Sequence, residues 1–107
     1  MGQWLYFTDE EVKGLKKSLV DRADIGRRLS GVPWRLTSTT KGEHVKASAH
    51  YSGEAIDVGH KGDIILAQRI AYGAGRAGFV RVGFYDRHIH LDIASHLPQV
   101  QWEGLSK

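Results

Sequence analysis

The chain has 107 residues, 41% of them hydrophobic and 25% charged, which allows one hydrophobic core and excludes two. It has no cysteine, so disulfides and thiolate metal ligands are excluded, and any metal would have to be held by imidazole and carboxylate. The net charge of +3 suits a polyanionic neighbour such as nucleic acid or an anionic cell wall, but no basic stripe with interleaved aromatics argues for nucleic acid.

Gln3, Thr8, Asp9 and Glu10 interrupt the N-terminal stretch, so no cleavable signal peptide is expected and the product would be made in the cytoplasm. No window is long and apolar enough to span a membrane. Thr8 followed by Glu11 reads as a capping box. Val12, Leu15 and Leu19 recur at helical spacing, which predicts a helix from Thr8 to about Leu29 with a weak point near Asp24. Lys13, Lys16, Lys17, Arg22, Arg27 and Arg28 read as its wet face, and Gly31 and Pro33 end it. Val32 to Thr37 alternates and predicts a strand.

Ser38 to Ala47 is polar and loop-like, a place for a substrate loop. Glu54 to Val58 predicts a short strand, and Gly59 to Gly62 a turn. Asp63 to Ala77 predicts a second helix, in which Gly73 and Gly75 would allow close packing against a sheet; Gly78 ends it. Phe79 to Tyr85 and His88 to Ala94 predict a hairpin closed at Asp86-Arg87. The tail, with Pro98 and Trp102, is expected to pack back over the sheet. The expected fold is α/β (α+β): one domain over residues 1–107, with a small, mainly antiparallel sheet flanked by helices.

Six histidines are many for this length, and His44, His50, His88 and His90 fall in or beside two polar segments, SAHYSGEAID (48–57) and DRHIHLD (86–92). Strand alternation puts His88, His90 and Asp92 on one face and Ile89, Leu91 and Ile93 on the other. A zinc ion with one open position needs about three protein ligands. His50, Asp57 and His90 supply such a set, on one face of the sheet. Asp86 on the turn is the candidate general base and His88 the candidate oxyanion donor. Asp92 is placed to orient a ligand histidine. Arg81 and Tyr51 are placed to line a cleft. His60 and His96 read as structural histidines.

SAHYSGEAID fits SxHxxGxAxD at Ser48, His50, Gly53, Ala55 and Asp57. With the HIHLD strand downstream, it resembles the zinc D-Ala-D-Ala carboxypeptidase and dipeptidase family, whose fold is shared with the Hedgehog signalling domain. The resemblance covers about Phe7 to Trp102 and is nearest to short phage and bacterial peptidoglycan peptidases. It implies zinc at His50, Asp57 and His90, a ligand turn shaped by Ser48 and Gly53, and hydrolysis of a peptide bond in wall stem peptides. A monomer is expected, and the expected lack of a signal peptide favours phage-type release to the cell wall.

Two positions depart from the family pattern. The acid often found three residues before the last ligand is replaced by Arg87, with Asp86 one residue earlier. The arginine after the first strand is absent, and Lys41 or Arg35 stands nearby instead. These departures keep open a non-catalytic zinc domain that binds cell wall or a protein partner. A small basic nucleic-acid binder would instead show steep salt dependence and no need of His50.

Overall fold

The computed structural model describes residues 4–38, 52–95 and 97–104. Lys41, His44, Ser48, His50, Tyr51 and His96 lie outside the described residues. The elements are α1 (Lys17–Ser30), β1 (Arg35–Ser38), β2 (Ala55–Gly59), α2 (Ile64–Arg76), β3 (Arg81–Phe84), β4 (His88–Asp92) and β5 (Gln101–Glu103). They form an α+β fold with one five-stranded sheet in the order β1-β2-β4-β3-β5. Among the described residues only the β3–β5 pair is parallel.

The sheet is mostly antiparallel, as expected, and its two faces divide by chemistry. Ile56, Val58, Val82, Ile89 and Leu91 face inward and share one buried cluster with Leu19, Val20 and Ala23 of α1 and Ile70 and Ala74 of α2. Burying each such side chain contributes roughly 1.5–3 kcal/mol. Both helices serve this one core, and the other sheet face carries the polar residues beside a small apolar cluster of Ala55, Ala94 and Leu97. No helix among the described residues is long and apolar enough to cross a membrane.

Helix α1 begins later than its sequence pattern predicts. The Thr8 capping box does form: the Glu11 N–H donates to Thr8 Oγ1 at 3.2 Å and the Thr8 N–H to Glu11 Oε1 at 2.9 Å. It closes only a turn, because Gly14 takes φ +86°, a left-handed conformation that ends the helical path. The chain re-enters a helix after Lys16. Asp24 does not break α1; its carboxylate accepts the Tyr6 N–H at 2.9 Å and pins the N-terminal segment to the helix.

Helix α2 starts at an Asp63 N-cap, whose side chain accepts the Leu66 N–H at 3.0 Å. Its two glycines differ. Gly73 touches α1 rather than the sheet: a Cβ there would lie 2.3 Å from the Gly26 carbonyl oxygen. A Cβ at Gly75 would meet nothing within 4 Å. The hairpin turn falls at Asp86-Arg87 as expected, with the Tyr85 N–H on the His88 carbonyl at 3.0 Å. Buried His60 locks this hairpin to the turn before α2, with Nε2 3.0 Å from the Tyr85 carbonyl and Nδ1 accepting the Gly62 N–H at 3.0 Å. The tail does more than pack over the sheet, since β5 joins its edge beside β3.

The α2 glycines give an internal control. Gly73→Ala is expected to destabilise the protein by about 1–3 kcal/mol through the clash with α1. Gly75→Ala is expected to stabilise it by about 0.5–1 kcal/mol through helix propensity. Urea denaturation of the two variants, read as midpoint shifts of opposite sign, checks both.

Candidate active site

The polar face is assembled by register. Asp57 of β2 lies directly opposite His90 of β4, with Ala55 opposite Asp92 and Gly59 opposite His88. On the other side of β4, Arg81 pairs with Asp92 and Gly83 with His90. Side chains that project from paired positions share a face. His88, His90, Asp92, Asp57 and Arg81 therefore collect on one patch, backed by the apolar core.

His90 is the hub. Its Nδ1 lies 3.0 Å from Asp57 Oδ1 and its Nε2 lies 2.7 Å from Asp92 Oδ2. A neutral imidazole has one N–H, so it can satisfy only one of the two carboxylates. If Nε2–H donates to Asp92, the Nδ1 lone pair points at the Asp57 oxygens. That arrangement asks for a positive charge between Nδ1 and Oδ1, either a proton or a metal cation. Without a metal, burial works against the charged ring, but hydrogen bonds to Asp57 and Asp92 outweigh it and push the His90 pKa up to about 9.

Asp92 is only 1% exposed, and a charge so buried is costly unless it is fully partnered. Its partners are His90 Nε2, the Arg81 Nε–H at 2.6 Å and the Ala94 N–H at 3.1 Å. Burial would raise its pKa, yet the bonds from His90, Ala94 and Arg81 prevail and hold it below the ordinary carboxylate range. Asp92 thus keeps the proton of His90 on Nε2 and fixes the ring plane.

His88 stands beside this pair, with Nε2 3.8 Å from Asp57 Oδ2 and its ring stacked on Tyr85 at 4.6 Å. Desolvation lowers its pKa, only partly offset by the Asp57 charge, so the ring is neutral near pH 7. Asp86 is exposed on the hairpin turn and acts electrostatically on His88. It also borders an apolar cavity of about 500 Å³ between α2 and the hairpin, with Ile64, Ala67, Ala71, Tyr72 and Phe84.

Arg81 is placed differently from a side chain reaching for a ligand. It is 11% exposed, and besides Asp92 its guanidinium donates to the Pro98 carbonyl and lies 5.1 Å from the Trp102 ring centre. Trp102, expected to pack over the sheet, also lines the site: its ring centre is 5.4 Å from that of His90. A single Trp in a short polar tail carries no periodic signal, so only the strand pairing reveals this.

Gly53 of the SxHxxGxAxD motif has a physical reason to be glycine. It takes φ +75°, and a Cβ there would lie 2.5 Å from the Gly14 carbonyl oxygen. Its own carbonyl accepts the Lys16 N–H at 2.9 Å, so the segment entering β2 is fastened to the start of α1. Among the described residues no three His, Cys, Asp or Glu side chains gather as a metal cage, and the expected third ligand, His50, lies outside them.

The fold matches the crystal structure of Serratia marcescens L-Ala D-Glu endopeptidase ChiX. The TM-score is 0.66 at 18% sequence identity, over 88% of this chain and 93% of that one. No protein-family model matches the chain, and no curated protein matches it in sequence.

The His90 proton has a signature in stability. Its folded pKa of about 9 lies above the ordinary 6.5, so its contribution is fully present below pH 6.5 and is lost as pH rises through about 9. Chelator-treated protein is therefore expected to lose stability between those limits, and His90→Gln to remove that part of the slope. Urea midpoints against pH measure it.

Proposed function

We propose that this protein is a zinc-dependent peptidase that hydrolyses a peptide bond in the stem peptides of bacterial peptidoglycan. The observation that carries the reading is the His90 Nδ1–Asp57 Oδ1 pair at 3.0 Å, with Nε2 of the same ring committed to a buried carboxylate. Once its Nδ1 proton is displaced, the ring would offer a lone pair beside the Asp57 carboxylate, which is the chemistry of a cation site. The SxHxxGxAxD motif supports zinc, held by His50, Asp57 and His90. The shared fold with an L-Ala D-Glu endopeptidase supports the substrate class and makes that bond the first to test, ahead of D-Ala-D-Ala.

Bound zinc would acidify a water and polarise the scissile carbonyl. The chain's own groups do the rest. Asp92 holds His90 in the Nε2–H tautomer, leaving Nδ1 as a ligand. Neutral His88 donates a hydrogen bond to the developing oxyanion. Asp86 accepts the proton of the attacking water and returns it to the leaving amine. The motif assigns Ser48 to the ligand turn, Lys41 and Tyr51 are the proposed substrate contacts, and Arg81 supports Asp92.

A non-catalytic zinc domain that binds cell wall or a protein partner is the second reading. It is favoured by the placement of Asp86 on an exposed turn that borders an apolar cavity.

Metal analysis combined with release of amino groups from purified peptidoglycan separates the two. The peptidase is expected to hold about one zinc and to lose release on chelation, as in His50→Ala. Asp86→Ala and His88→Ala are expected to keep zinc while turnover falls by about 10²–10⁴. Zinc without release from several wall types would select the binding domain, and absence of zinc would refute both.

A further inference from the structure

Residues 97–104 reach the site from outside the hairpin that builds it. Strand β5 has three residues, pairs only with β3 and forms the sheet edge. So short an edge strand gains little from its own ladder. Backbone bonds tie it to β3 at Val100 and Gly104, and side-chain contacts with the polar face add to them.

Two contacts do this. The Arg81 guanidinium spans two partners, donating through Nε to Asp92 at 2.6 Å and through its other arm to the Pro98 carbonyl. The Trp102 indole lies flat enough over Gly83 that a Cβ there would meet its ring at 2.6 Å. It is fixed by its Nε1–H on Tyr85 Oη at 2.9 Å, and it touches both the Arg81 guanidinium and the His90 ring. Removing the tail would therefore expose Arg81, free its second arm and open one side of His90. Asp92 would keep its bonds to His90 and Ala94 but hold an arginine no longer anchored at Pro98, and His90 would lose its Trp102 neighbour.

We propose that the C-terminal segment is a strap that positions the metal site, with Trp102 and Arg81 as its positioning residues. Docked, it holds Arg81 on Asp92 and Asp92 on His90, so that Nδ1 faces Asp57. Because ligand binding and strap docking then favour the same state, each strengthens the other by the same factor. The strap rests on the zinc reading above, but it assigns the tail a role that the ligand motif does not contain.

The test uses no substrate, so a part for Arg81 in gripping peptide would leave the readout unmoved. Zinc affinity is measured on the full chain by competition with a chelating dye. Trp102→Ala is expected to weaken zinc by about ten- to a hundredfold. Trp102→Phe, which restores a ring beside Arg81 and His90, is expected to recover part of the loss. Arg81→Lys is expected to follow Trp102→Ala, since one ammonium does not span both Asp92 and Pro98.

Hydrogen exchange on the unmodified chain needs no variant to fold. The Gly104 N–H, bonded to the Phe84 carbonyl at 2.9 Å, is expected to exchange at least tenfold more slowly with zinc than without. Zinc bound equally by parent and Trp102→Ala, or Gly104 exchange indifferent to zinc, overturns the strap alone. A parent chain that takes no zinc overturns the metal reading and the strap with it.

Discussion

One imidazole between two carboxylates organises this molecule. His90 can be satisfied on both sides only when a positive charge sits at Nδ1, and everything around it enforces that demand. Asp92 is buried where it keeps its charge, because Arg81, Ala94 and His90 all donate to it. Asp57 is held opposite by strand register rather than by side-chain flexibility. The apolar core on the other face makes this register costly to slip, since a one-residue shift would turn Ile89 and Leu91 outward and the histidines inward.

Much of this was legible in the order of residues. The HIHLD alternation separates the two faces, and Leu91 and Ile89 are buried where that alternation puts them. The hairpin turn at Asp86-Arg87 and the ends of α2 also follow from local chemistry. Local chemistry misled where it was right about a contact and wrong about its consequence. The Thr8 capping box exists, yet Gly14 stops the helix it seemed to start. Gly73 is there for helix α1, not for the sheet.

The candidate site was legible as a set of residues and not as a geometry. Spacing names His90 and Asp57, but only the β2–β4 register says that they face one another. The partners of Arg81 were hidden because two of them, Pro98 and Trp102, belong to a tail with no periodic pattern. Gln101, Trp102 and Glu103 are too few to announce a strand, and parallel pairing with β3 depends on the whole sheet being in place. The fold shared with an L-Ala D-Glu endopeptidase at 18% identity fits this division.

The central claim is that the gap between His90 and Asp57 is a zinc site approached through Nδ1. Anomalous scattering at the zinc edge from crystals grown with zinc tests it most directly. One dominant peak is expected about 2.0–2.2 Å from both His90 Nδ1 and Asp57 Oδ1, with Nε2 still on Asp92. A peak at Nε2, zinc only on surface histidines, or no peak would contradict it.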